Sequence, residues 1–200
     1  MSRIRRQILI LLTGCLYLSP AFTQHSREKI PALPGTIQIN DSFSIKASEI
    51  LVFDYTSFIV ANDYDKSLFP DSTILASMPY QPLFTDLRNH QHDRFLKPVG
   101  KPPYFYFKIK RNGIAADNKE LKTWLSLPMA GLSQQQAERY SQWVEDFYHN
   151  FLLFHKRAYY YKLRLATEEE LKTGLLKKGV HQHADSDKYK VWRFVAILQH

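Results

Sequence analysis

The chain has 200 residues, 44% hydrophobic and 14% aromatic, with a formal net charge of +8 and a single cysteine, Cys15. That length suits one packed domain, and 13 Phe, 12 Tyr and 3 Trp supply bulky apolar surface for its core. A lone cysteine rules out an internal disulfide, and seven glycines argue against a glycine-rich phosphate cradle.

Arg3, Arg5 and Arg6 make a basic n-region, followed by ILILLTGCLYL at residues 8–18 and a break at Pro20. Small residues at Ala21 and Thr23 complete the pattern, which predicts a secretory signal peptide over residues 1–23, cleaved before Gln24. The apolar run is shorter than the roughly 18 residues that a membrane span needs. A second route is open, because LTGC at residues 12–15 fits a bacterial lipobox with Cys15 as the lipidated residue. Leu16, Tyr17 and Leu18 prolong the apolar run where a lipoprotein usually turns polar, which favours cleavage at Gln24. Either route predicts export, to the periplasm, the outer membrane or the exterior. Membrane attachment would then come only from a lipid on Cys15.

The mature chain has no thiol, which excludes thiolate catalysis. Losing three arginines leaves 24 basic against 19 acidic residues, a net charge of +5. These charges are dispersed, so they read as solubility plus attraction to an anionic surface, and no nucleic-acid partner is expected.

Residues 24–35 carry polar groups and two prolines, as a linker does, and the domain is expected over 36–200. TIQINDSFSIK alternates apolar and polar positions around Asn40-Asp41, which predicts a hairpin. From residue 51 to 63 the spacing becomes helical, with Leu51, Tyr55, Phe58 and Ile59 on one face. Pro70, Pro79, Pro82, Pro98, Pro102 and Pro103 then interrupt every candidate element, so 64–103 reads as a long irregular stretch. YFYFKIKR at 104–111 alternates as a strand and ends in the turn pair Asn112-Gly113.

The longest helix is predicted from Ser133 to about His155. Ser133 and Gln136 have capping-box spacing, and Ala137, Tyr140, Val144, Phe147, Phe151 and Phe154 form one stripe, expected to be buried. A strand at 159–165, a helix at 168–177 and a last strand at 189–197 complete the chain. Strands and helices mix without βαβ repetition. The class is therefore α+β, a small domain of short antiparallel strands and about three helices.

Four groups are weighed as sites. His181 and His183, near Asp185 and Asp187, and His90 and His92, beside Asp93, are types that bind borderline metals. Polar surface loops account for both groups more simply, so no metal and no cofactor is expected. Tyr104, Tyr106, Lys108 and Lys110 give one strand an aromatic-basic contact face, the counterpart of a plain solvated strand. Glu168, Glu169 and Glu170 occupy a helix's first turn, where acids complement the dipole, rather than acting as paired catalytic carboxylates.

LRLATEEEL at 163–171 resembles the R-L-P-T-E-x-E-W signature of the formylglycine-generating enzyme (sulfatase-modifying factor) family. Arg164, Leu165, Thr167, Glu168 and Glu170 match, while Ala166 and Leu171 replace the proline and tryptophan. LPMAGLSQQQAERYSQW at 127–143 is similar to the family's P-V-x-x-V-S-x-x-x-A-x-x-Y-C-x-W, with Pro128, Ser133, Ala137, Tyr140 and Trp143 in register. Ser141 stands where many members have cysteine. EILVFDYTSF at 49–58 is similar to E-V-T-N-x-x-Y-x-x-F, and the terminal WRFVAI is read as a counterpart of the closing G-F-R strand.

The resemblance covers residues 34–175 and implies a fold related to C-type lectins. The family's N-V-W-E-W and R-G-G-S-W segments are missing, since 14 residues separate Gly174 from Tyr189. Without thiolates the family's copper site cannot form, so a truncated, non-catalytic member is expected. The resemblance implies an accessory or structural subunit of a bacterial cell-envelope assembly, of gliding or secretion type, with an envelope protein as partner. The alternative is a glycan- or ligand-binding module using 64–103 as its loop surface.

Overall fold

The structure, a computed structural model, describes residues 33, 35–89, 96–99, 106–109, 118–177, 179–182 and 190–199, with backbone alone at 96–99, 106–109 and 118. All of them belong to the unit Ala32–His200. Strands β1 (Thr36–Asn40), β2 (Phe43–Lys46), β5 (Tyr160–Leu165) and β6 (Phe194–Gln199) form an antiparallel sheet in the order β1-β2-β6-β5. Strands β3 (Leu96–Val99) and β4 (Tyr106–Ile109) form a separate antiparallel pair. The helices are α1 (Val52–Ala61), α2 (Ser72–Leu75), α3 (Gln81–Arg88), α4 (Asn118–Leu125), α5 (Gln134–Phe154) and α6 (Glu168–Leu175), with a 3-10 turn at Lys66–Leu68. The class is α+β, as the sequence indicates. Six α-helices among the described residues replace the expected three.

Two of the three extra helices, α2 and α3, lie where prolines suggested irregular chain. Asp65 and Asp71 cap the 3-10 turn and α2 by accepting from Ser67 N and Thr73 N. Pro82 sits in the first turn of α3, where a missing N–H costs nothing. Pro98 pairs with Phe107 in a two-stranded ribbon, in which each strand has an unpaired side that tolerates proline. Pro82 thus starts an element and Pro98 sits inside one.

The hairpin forms as the alternation requires, with Ile37 opposite Ile45 and Asn40 Oδ1 accepting from Ser42 N in the turn. Period two also gives the sheet two buried faces. Ile45, Val195 and Val180 pack under Leu171 of α6 on one side. Phe194, Ala196, Tyr161 and Leu163 join the main core with α1 and α5 on the other. Gly174 of α6 is buried, and a Cβ there would stand 2.6 Å from Ile45 Cδ1, so only glycine lets the helix lie this close.

The main core is aromatic. Phe58 is 5.5 Å from Tyr55, 5.7 Å from Tyr140 and 5.5 Å from Trp143 between ring centroids, in tilted or edge-on geometry. Tyr55 is buried and its hydroxyl donates to Leu68 O at 2.9 Å. Tyr80 donates to Pro128 O and accepts from Ala130 N, which leaves neither hydroxyl unpaired.

The capping box at Ser133 forms, with Gln136 Oε1 accepting from Ser133 N at 2.9 Å. The Gln136 amide also donates to Ser67 O and Phe69 O, both at 2.9 Å, and so ties the 3-10 turn to α5. The helical stripe divides. Ala137, Tyr140 and Val144 are buried, but Phe151 and Phe154 are exposed, because the buried face has shifted to Leu152, which joins the main core. The last strand begins at Phe194, not at residue 189. Trp192 O and Arg193 O accept from Ile50 N and Ala166 N, so this approach is spent on loops instead of a ladder. Among the described residues no helix is long and apolar enough to cross a membrane.

Candidate functional site

Three separate segments converge beside the N-terminus of α1. Ile50 N donates to Trp192 O at 2.8 Å, Met129 N to Ile50 O at 2.8 Å and Val52 N to Leu127 O at 2.9 Å. Trp192 Nε1 donates to Leu132 O at 2.9 Å. These bonds join the starts of two segments that carry the resemblance, near 49 and near 127, to the chain before β6.

At this junction lies a buried ion pair. Glu49 and Arg193 are 5% and 4% exposed, with Arg193 Nη2 3.2 Å from Glu49 Oε1. Nη2 also donates to His181 O. Nη1 of Arg193 is buried and has no hydrogen-bond partner among the described residues. Burial pushes the Arg193 guanidinium below its usual range, and Glu49 opposes that shift by charge and hydrogen bonding. Taking two charges out of water costs several kcal/mol per ion, so such a pair is seldom retained for stability alone.

Two adjoining clefts open on this pair. The larger, about 730 Å³, runs between Gln134, Glu138 and Gln142 of α5, the β5–α6 junction, and residues 190–193. The smaller, about 230 Å³, is lined by Glu49, Leu171, Leu175, Gln182, Lys190, Val191 and Arg193. Arg193, Lys190, Leu171 and Val191 line both. Lys190 Nζ stands 4.3 Å from the Trp192 ring centroid, a cation–π contact that places its charge at the mouth.

The β5–α6 junction is a rigid wall of the larger cleft. Thr167 and Glu170 form the second capping box, and Arg164 binds Glu170 through Nη1–Oε2 and Nη2–Oε1 contacts of 2.7 and 2.6 Å. Arg164 Nη1 also donates to Leu165 O. These bonds hold the Glu170 carboxyl at about 2 and raise Arg164 further. Glu168 lines the cleft, and the three acids of this turn serve the helix start.

The residues singled out from sequence lie elsewhere. His181 is exposed and contributes its backbone carbonyl to Arg193. His183, His90, His92, Tyr104, Lys110 and Cys15 fall outside the described residues, as do the signal-peptide and lipidation expectations. Among the described residues no three of His, Cys, Asp and Glu gather to hold a metal. Tyr106 and Lys108 lie on β4, opposite Val99 and Lys97. In the sequence Glu49 and Arg193 stand out only as letters of EILVFDYTSF and WRFVAI, each a lone charge leading into an apolar run. No family profile, curated protein or solved structure matches this chain.

Proposed function

We propose that this protein is a non-catalytic, exported accessory subunit of a bacterial cell-envelope assembly, docked on another envelope protein. The observation that carries the reading is the far end of α5, where the consecutive Leu153 and Phe154 are 57% and 68% exposed. Grouped exposed apolar side chains mark protein interaction sites more often than scattered ones do. The basic leader and its apolar run support export. The resemblance to sulfatase-modifying factors supports a retained scaffold without the family's thiolate chemistry. Ion pairing between Glu49 and Arg193 fits that resemblance, since it links the first motif to the closing strand.

Crosslinking in intact cells, then affinity purification from the envelope fraction and mass spectrometry, tests the reading. One partner at near-equal stoichiometry is expected, lost in the Leu153→Glu/Phe154→Glu variant. A soluble monomer without a crosslinked partner would refute it.

A further inference from the structure

We infer that the smaller cleft receives a carboxylate carried on an apolar residue, held by Nη1 of Arg193 and Nζ of Lys190. Arg193 is nine-tenths buried and lines the cleft, and among the described residues its Nη1 lacks an acceptor while Nη2 has two. Buried polar groups are nearly always hydrogen-bonded, and a guanidinium arm matches a carboxylate oxygen in charge and plane.

Charge selects the same class. Glu49 neutralises Arg193, which leaves Lys190 as the uncompensated cation among the described residues that line the cleft, so one negative charge on the ligand balances them. Shape narrows it further. Leu171, Leu175 and Val191 make one wall apolar, and about 230 Å³ holds a residue-sized group, not an oligosaccharide. Nη1 has almost no accessible surface, so the carboxylate reaches it only as the exposed Leu175 and Lys190 side chains at the rim swing aside. This goes beyond the assembly reading, because it names a ligand class and a recognition residue that the reading does not require.

The test is titration of the exported chain with N-acetyl-leucine, with N-acetyl-leucine amide as control, followed by backbone amide NMR at Leu171, Leu175 and residues 190–193. The acid is expected to give saturable shifts and the amide none. Arg193→Lys keeps a cation opposite Glu49 but lacks the second arm, so affinity should fall roughly tenfold or more. Lys190→Glu lies on the exposed rim, where folding does not depend on it, and should weaken binding by a similar factor. No saturable shift with the acid, equal shifts with acid and amide, or unchanged affinity in the variants would overturn the proposal.

Discussion

Arg164 and Glu170 meet across the junction of β5 and α6 through two parallel hydrogen bonds, while Glu170 also accepts from Thr167 N at 2.9 Å. One carboxylate thus closes a helix cap and anchors a strand. Glu170→Ala should destabilise the chain by ~1–2 kcal/mol, the sum of a lost cap and a part-exposed ion pair. The folded carboxyl sits at about 2 against an ordinary 4.5. A depressed folded value means its contribution is complete above about 4.5 and disappears as pH falls through about 2. Denaturant midpoints measured across that window should fall less steeply in Glu170→Gln than in the native sequence.

Gln136 should not tolerate glutamate, although a capping box accepts either residue. Its amide nitrogen donates to two carbonyls, Ser67 O and Phe69 O, and a carboxylate would set oxygen against oxygen at both. Gln136→Glu is expected to cost ~1–3 kcal/mol in chemical denaturation. A neutral outcome would show that the 3-10 turn is not tied to α5 in this way.

Gly174→Ala offers up to about 1 kcal/mol of helix propensity, yet the added Cβ would lie 2.6 Å from Ile45 Cδ1 and 3.3 Å from Ile45 Cγ2. Overpacking at a fully buried isoleucine outweighs the gain, so a net loss of ~1–2 kcal/mol is expected. Adding Ile45→Val removes the offending methyl and should recover part of that loss. Thermal melts of the two single variants and the double variant decide it.

Glu49→Ala leaves the Arg193 guanidinium buried and uncompensated, and should cost ~3–5 kcal/mol. Glu49→Ala/Arg193→Met removes both charges and should recover most of it. A double-mutant cycle that returned no coupling would contradict the buried pair.

Local signals were legible where the determining partners lie close in sequence. Ser133 with Gln136, and Thr167 with Glu170, fix two helix starts within four residues, and both boxes form. Asn40 sets the hairpin turn in the same way. Tertiary partners were not legible. Arg193 meets Glu49 across almost the whole domain, and no periodicity reports such a pairing. Strand β6 starts late because Trp192 and Arg193 bond to loops far away in sequence. The stripe on α5 could not reveal that the buried face shifts to Leu152, since Phe147, Phe151 and Phe154 repeat the spacing of the buried half. Proline 82 misled for a different reason: a count of breakers ignores that the first helical turn accepts them.

The hydrogen bonds along β5 have a consequence for self-association. Leu163 N donates to Glu145 Oε2 at 2.7 Å and Leu165 O accepts from Arg164 Nη1 at 3.1 Å, so both groups face away from β6 and are already occupied. An incoming strand would have to strip a buried carboxylate and a guanidinium from the outer margin of the sheet before it could pair there. Among the described residues that leaves β1 as the margin of this sheet open to strand addition, and its register slips between Gln38 and Asn40. Growth that can use one side only must stop at a closed, symmetric pair, whereas an open-ended fibre needs two. The carboxylate of Glu145 thus closes one margin of the sheet to strand pairing.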